Sequence, residues 1–297
     1  MEKSKIFKII IILLIFFAFS FTLAHNFNKV DFADKIVFIP IKGEIVSGNE
    51  NGILDDGVSE SSEIINYLDK ANNDHNIKAI ILEINSPGGS ALASKEIVDK
   101  VKTINKPVIA WIRTVGASGA YWVASASDVI IADELSITGS IGVIGSYLEY
   151  EGLMKKYGVT YERLVTGKYK DMGTPFKELT QEERDLLKKK LNMIHNIFSK
   201  DVSNNRKKDL SSYSTGEFFL GLEAKEIGLV DYLGGREFAI NMSKELAHIS
   251  KAELVTFQQR KGFLSSLDKY ISKYSFNLGL GISKGLLLNN DKYEINT

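Results

Sequence analysis

Three segments rich in glycine and serine contain the residues best suited to chemistry: residues 85–89 (NSPGG), 115–122 (VGASGAYW) and 138–146 (TGSIGVIGS). In the first segment, a proline and two glycines favour a backbone that exposes consecutive N–H groups, which can stabilise an oxyanion. In the second segment, Ser118 follows a strand pattern and begins a helical one, where its hydroxyl can face a substrate as a nucleophile. The alternatives are an ordinary Pro-Gly turn and a serine that only caps the helix.

The rest of the composition excludes several other kinds of site. The third segment has the glycine content of a phosphate-binding loop but neither its G-x-G-x-x-G spacing nor its final Lys-Ser/Thr pair, which argues against nucleotide binding. The chain has 37 basic and 37 acidic residues, so it lacks the clustered positive charge that nucleic-acid binding normally needs. It has no cysteine, which excludes disulfides, thiolate nucleophiles, iron–sulfur clusters and thiolate zinc sites.

A serine nucleophile needs a general base, and the chain offers two kinds. Among its four histidines, only His248 fits a hydrolase of the α/β type, in which the histidine follows the nucleophile and the acid in the chain. The other candidates are Lys168 and Lys170, within the glycine-flanked segment 166–176. A lysine acts as a base only when it is neutral, so its surroundings must disfavour the charged form. These residues alone do not distinguish Lys168 from Lys170.

The N-terminus has the pattern of a membrane anchor. Residues 9–24 contain no charged side chain and follow Lys3, Lys5 and Lys8. A helix of this length spans about 24 Å, and lysines that reach toward the headgroups make it adequate for a core of about 30 Å. We predict an uncleaved anchor at residues 6–24; the alternative is a cleaved signal peptide, although no A-x-A site is present. The N-terminus is then cytoplasmic and the remaining chain extracytoplasmic.

The elements that must position these residues alternate between strand and helix patterns. Apolar runs predict strands at 36–41, 77–85, 107–113, 128–133, 161–166 and 252–257, and helical spacing predicts helices at 61–71, 91–104, within 114–127 and at 236–248. Thr180 and Glu183 have the spacing of a capping box that begins a further long helix. This order predicts an α/β fold with parallel strands joined by crossover helices. The predicted domains are an anchor and connector (1–29), a catalytic domain (30–257) and a helical extension (258–297).

Taken in order, four motifs resemble those of the signal peptide peptidase A family: NSPGG, ASGAYWVASASD (117–128), TGSIGVIG (138–145) and GKYKDMGTPFKELTQEER (167–184). The following segment LGLEAKEIGLVDYLGG (220–235) also resembles that family, and the similarity extends over about residues 35–257. One anchor with one catalytic domain is similar to the family's short form. The resemblance implies the fold of the Clp protease and crotonase superfamily, a spiral of β-β-α units.

The resemblance also implies roles for individual residues. Ser118 corresponds to the nucleophile, Lys170 to the general base, Ser140 to the serine that orients the lysine, and Gly89 and Gly119 to the oxyanion-hole donors. The family often has two glycines after the nucleophile, whereas this chain has Ala120 at the second position. The family assembles as a ring or dome, in which the serine and the lysine of one site can come from neighbouring subunits.

These observations predict a membrane-anchored serine endopeptidase with a Ser118–Lys170 dyad and no metal or organic cofactor. The family's substrates are remnant signal peptides, and the expected partners are such apolar peptides, the membrane and further copies of the chain. One alternative is a related Ser-Lys protease that cleaves a specific membrane protein, such as a stomatin-like partner. The others are a non-enzymatic assembly module and a crotonase-like acyl-CoA enzyme, which an export signal would separate from cytoplasmic acyl-CoA.

Overall fold

The computed structural model describes residues 33–48 and 57–257, together with residues 11, 13–18 and 20 of the apolar N-terminal segment. Those N-terminal residues are helical, but no helix within the described residues has both the length and the apolar character that crossing a membrane requires. Most of the predicted anchor, and the whole predicted extension at 258–297, lie outside the described residues.

Parallel strands rich in isoleucine and valine form the centre of the fold. Such strands are buried on both faces, which explains their continuous apolar runs. The strands are β1 (Lys35–Val46), β2 (Val58–Glu60), β3 (Ile77–Gly89), β4 (Val108–Ala117), β5 (Val129–Ala132), β6 (Ile137–Gly139), β7 (Phe218–Leu220), β8 (Tyr232–Leu233) and β9 (Glu253–Thr256). The central strands lie in the order β2-β1-β3-β4-β5-β8. β9 pairs with the start of β1, and β7 is antiparallel to β6.

Helices cover both faces of this sheet. They are α1 (Ser61–Asn73), α2 (Ala91–Val101), α3 (Gly119–Ser125), α4 (Glu151–Lys156), α5 (Gln181–Asn205), α6 (Gly221–Ile227) and α7 (Arg236–Leu246). Val37 and Ile39 of β1 belong to one core cluster with residues of α1, α2 and α3, whereas Ile36 and Phe38 belong to a second cluster with residues of α7. The alternation follows from the two-residue period of a strand. Helix α3, which begins after Ser118, therefore lies on the face opposite α7.

The register of the strands brings the three small-residue segments together. Near the end of β3, Ser86 pairs with Gly116 of β4, and Ala117 pairs with Gly139 of β6. Because these pairings are parallel, the residues that follow each strand emerge at the same edge of the sheet. The loop after β3, the residue after β4 and the residue after β6 are therefore neighbours.

Most of the predicted elements are confirmed, with ends that differ by a few residues. The capping box of α5 is present: the N–H of Glu183 donates to the Thr180 hydroxyl at 3.2 Å, and the N–H of Thr180 donates to the Glu183 carboxylate at 3.0 Å. The strand predicted at 161–166 is wrong, because this segment has no regular structure and Leu164 is 88% exposed. An apolar run becomes a strand only where a neighbouring strand supplies hydrogen bonds, and this segment has no such neighbour among the described residues.

Candidate active site

Ser118 occupies the junction between β4 and α3 in a strained conformation. Its φ is +53° and its ψ −126°, a region that residues with a side chain rarely adopt, at a cost of about 1–3 kcal/mol. Its N–H donates to the Gly139 carbonyl at 2.8 Å, and its carbonyl accepts from the Trp122 N–H at 3.0 Å. The side chain is partly exposed and makes no capping hydrogen bond, so the alternative of a simple helix cap is not supported.

The two glycine positions beside Ser118 leave no space for a side chain. A Cβ at Gly88, whose φ is +100°, would lie 2.7 Å from the Gly119 nitrogen and 2.9 Å from the Ser118 Cβ. A Cβ at Gly119 would lie 2.3 Å from the Ser94 Oγ and 3.5 Å from the Gly89 nitrogen. The Gly119 N–H is in the first turn of α3, where amides have no partner within the helix. The predicted oxyanion donors, Gly89 and Gly119, are therefore close neighbours beside the serine.

A groove with a volume of about 620 Å³ runs past Ser118. Its lining contains Ser118, Ser140 and the two predicted oxyanion glycines, together with the polar residues Ser90 and Thr215. Most of the other lining residues are apolar: Pro87, Ala91, Trp122, Val143, Ile144, Leu191, Ile194 and Phe198. A cleft of this size and composition is suited to an extended peptide with apolar side chains.

Ser140 lines the same groove and also has an unusual backbone. Its φ is +50°, and Ser118 and Ser140 are two of the four non-glycine residues with positive φ among the described residues. Its N–H donates to the Glu217 carbonyl at 2.7 Å, and its hydroxyl donates to the Gly216 carbonyl at 3.3 Å. The structure thus places Ser140 in the site, and its orienting role toward the lysine stays a prediction.

Lys170 lies outside the groove that contains Ser118. The residue is exposed, lies in a turn closed by its N–H to the Gly167 carbonyl at 3.1 Å, and does not line the groove. The hydroxyl of its neighbour Tyr169 bonds to Glu182, at the start of α5. Leu191, where α5 enters the groove wall, is about 13 Å further along the helix axis. The described residues of a single chain therefore do not bring Lys170 to Ser118.

Ion pairs nevertheless distinguish the two candidate lysines. The Lys168 ammonium lies 2.6 Å from the Glu182 carboxylate, and this hydrogen bond raises the pKa of Lys168, which keeps the amine charged. Lys170 has no ion pair within the described part of the chain. The next residue, Asp171, accepts two hydrogen bonds from Arg163 at 2.5 and 2.9 Å, which lower the pKa of the Asp171 carboxyl. The residues near Lys170 on both sides, Lys168 and Asp171, are thus held by ion pairs, whereas the Lys170 amine makes none within the described residues.

Sequence comparison decides the family. The profile of Peptidase family S49 matches residues 100–250, and that of Clp protease matches residues 51–130. The chain belongs to peptidase family S49. It is 35% identical over 243 residues to a protein of Methanocaldococcus jannaschii named as a protease, covering 80% of this chain and 76% of that protein. It is 32% identical over 239 residues to a protein of Enterococcus faecium named signal peptide peptidase SppA, covering 78% and 70%.

The similarity to the signal peptide peptidase A family is therefore confirmed, and this S49 chain is a serine protease. A solved structure of the 1510-N membrane-bound stomatin-specific protease, as a mutant in complex with a substrate peptide, has a TM-score of 0.51 and 14% sequence identity. The match covers 81% of this chain and 99% of that one, and it shows a common fold. The expected α/β fold with a parallel sheet is thus confirmed.

The histidine alternative has no support from the position of His248. This residue is exposed, follows the end of α7 and does not line the groove. Helix α7 packs on the sheet face opposite α3, the helix that follows Ser118, as its place in the second core cluster shows. The geometry therefore offers no serine–histidine pair of the α/β-hydrolase kind between Ser118 and His248.

Sequence reasoning missed the wall of the S49 groove. Helical spacing puts Leu191, Ile194 and Phe198 on one apolar stripe of α5, and the structure places all three in the groove wall. In the structure α5 is largely exposed, and only Glu183, Phe198 and Val202 are buried along it. An apolar stripe that extends beyond the buried residues of a helix leaves apolar surface exposed. Such a surface indicates a place where a ligand can bind.

Proposed function

We propose that this serine protease hydrolyses apolar peptide segments bound in the groove beside Ser118. The observation that carries the proposal is the strained Ser118, whose hydroxyl makes no capping bond and which lines a cleft with a largely apolar wall. The hydroxyl attacks the peptide carbonyl, and the amides of Gly89 and Gly119 stabilise the oxyanion. The acyl-enzyme then forms with release of the amine product, and water hydrolyses it.

In this proposal, Lys170 of a second copy of the chain supplies the general base. Two observations support it: Lys170 lies outside the groove of its own chain, and the segment that carries it exposes large apolar side chains. Leu148 and Leu164 are 71% and 88% exposed, which is unusual for a surface that meets only water. A homo-oligomer that buries these side chains can also bring each Lys170 amine to a neighbour's Ser118 and Ser140.

Apolar peptides should be cleaved much faster than peptides of the same length that carry charges at alternate positions. The apolar wall gains from burying each aliphatic side chain, whereas a charged side chain loses its hydration there, so we expect a difference of about a hundredfold in kcat/KM. Chromatographic assay of synthetic peptides with the full-length protein in detergent measures this ratio. A charged series cleaved as fast as the apolar one would contradict the proposal.

The substrates that fit this preference in a membrane are remnant signal peptides, which are apolar segments left in the bilayer after preprotein processing. The proposal includes an anchor at residues 6–24 and a catalytic domain outside the cytoplasm, built as a spiral of β-β-α units. Cleavage of one membrane protein, without cleavage of unrelated apolar peptides, would instead favour the alternative of a protease with a specific protein substrate.

The proposed orientation has its own test. A reporter enzyme that is active only outside the cytoplasm, fused after Thr297, should be active in cells, because Lys3, Lys5 and Lys8 hold the N-terminus on the cytoplasmic side. A matched fusion in which these lysines are replaced by glutamine should lose part of that activity. Activity of a reporter that works only in the cytoplasm, from an intact chain, would reverse the orientation and exclude the signal-peptide substrates.

A further inference from the structure

Trp122 forms part of the groove wall in close contact with α5. The indole ring stacks on Phe198, with ring centroids 4.6 Å apart and an interplanar angle of 20°. Both residues line the groove, although each is only 2% exposed. The pair therefore forms a flat apolar surface, and the position of the indole ring decides the shape of this part of the groove.

A carboxylate behind the wall holds the indole ring in place. The Trp122 Nε1–H donates to the Asp201 Oδ2 at 2.8 Å, and the Lys102 ammonium bonds to the other Asp201 oxygen at 2.6 Å. The Asp201 side chain is only 16% exposed. An indole N–H in an apolar setting needs an acceptor, and a carboxylate is a strong one whose lone pairs fix the direction of the bond.

Helix α5 supplies both contacts from a single face. Phe198, Asp201 and Asn205 have the spacing i, i+3 and i+7, which places them along one side of the helix. The Asn205 amide donates to the Ser125 hydroxyl at 2.9 Å, and that hydroxyl donates to the Trp122 carbonyl at 2.6 Å. Helix α5 thus contacts the ring and the indole nitrogen of Trp122 directly, and it contacts the Trp122 backbone through Ser125.

We propose that Asp201 is a positioning residue that sets the preference of the groove for a large apolar side chain, because it fixes Trp122 against Phe198. The ligand class is a peptide with a bulky aliphatic or aromatic side chain next to the scissile bond. The inference rests on the proposed use of the Ser118 groove as the substrate site. Without the carboxylate, the indole N–H has no acceptor in this position. If the ring turns toward water, the N–H regains a hydrogen bond.

The test compares two peptides that differ only by leucine or alanine before the cleaved bond. In Asp201→Leu, which keeps the branch at Cγ but has no acceptor, the leucine-to-alanine ratio of kcat/KM should fall about tenfold, mainly through a higher KM for the leucine peptide. Asp201→Asn should keep most of the selectivity, because its amide oxygen still accepts from the indole. Asp99→Leu, which removes an exposed carboxylate paired with Lys95 on α2, is the matched control.

A spectroscopic readout separates positioning from a general loss of stability. The chain has two tryptophans, so Trp111→Phe leaves Trp122 as the single one. In that background, Asp201→Leu should shift the emission to longer wavelength, and Asp201→Asn should not. An unchanged emission, or an equal loss of kcat/KM on both peptides, would overturn the inference. The proposed function fails separately, if Ser118→Ala still cleaves the leucine peptide at the wild-type rate.

Discussion

Replacing Ser118 by alanine should remove nearly all peptide hydrolysis and leave the fold intact. The hydroxyl is the atom that forms the acyl-enzyme, so its loss should lower kcat by at least about a thousandfold. The alanine retains the Cβ and the hydrogen bonds of the backbone, since the side chain makes no capping bond in the structure. Hydrolysis of an apolar peptide and labelling by a fluorophosphonate, which reacts with activated serines, should both disappear.

Ser127→Ala is the matched control for this substitution. Its hydroxyl is buried near the end of the same helix and makes no hydrogen bond within the described structure, so removing it leaves no partner unsatisfied. Its activity and stability should stay close to those of the wild type. Wild-type rates in Ser118→Ala would remove the serine from the mechanism and with it the function proposed for the groove.

The conformation of Ser118 adds a second, independent measurement. Glycine at this position relieves a strain of about 1–3 kcal/mol and loses about 0.5–1 kcal/mol through the greater entropy of the unfolded chain. Ser118→Gly should therefore raise the free energy of unfolding by about 1 kcal/mol while it abolishes activity. Denaturant unfolding of Ser118→Gly and Ser118→Ala under the same conditions measures the difference in their free energies of unfolding. Equal stability of the two variants would mean that the strain is not present in solution.

The sheet could be predicted from the sequence because its strands are buried on both faces. Runs such as 36–41 and 77–85 can be recognised as strands without knowledge of the strands they pair with, because their isoleucine content exceeds that of an exposed strand. The capping box at Thr180 and Glu183 could be predicted for a similar reason, because it depends only on residues three apart. Local signals of this kind fix most of the elements.

The short strands and the groove wall could not be predicted in the same way. β6 and β7 have three residues each; they exist because β6 pairs with the end of β4 and β7 pairs with β6. The strand predicted at 161–166 fails for the converse reason, since its apolar residues find no neighbouring strand in the described structure. Which side of α5 closes the groove likewise depends on packing between distant residues, such as Phe198 on Trp122.

The candidate site was identified in part from its residues and in part from a resemblance. The pattern G-A-S-G-A indicates a serine between a strand and a helix, but it does not reveal the positive φ that the structure gives Ser118. Only the resemblance favours Lys170 over Lys168 as the base. The structure adds one difference between them, because the Lys168 ammonium is paired with Glu182 and Lys170 has no ion pair among the described residues.

The Lys170 amine should be as essential as the Ser118 hydroxyl. Lys170→Ala should lower kcat by about a thousandfold, and Lys170→Arg should be equally inactive, since a guanidinium keeps its proton at any working pH. Lys168→Ala, two residues away, is the matched control and should keep most of the rate. Full activity of Lys170→Arg would exclude the lysine as the base.

A mixture of the two inactive variants tests whether the base comes from a second copy. When Ser118→Ala and Lys170→Ala chains are co-expressed in equal amounts, some interfaces pair the intact serine of one chain with the intact lysine of another. With random assembly into a ring of head-to-tail contacts, about a quarter of the sites are complete, so about a quarter of the wild-type activity should return. If each chain supplies its own lysine, no site is complete and the mixture stays inactive, which would contradict the shared site and require Lys170 to reach Ser118 within one chain.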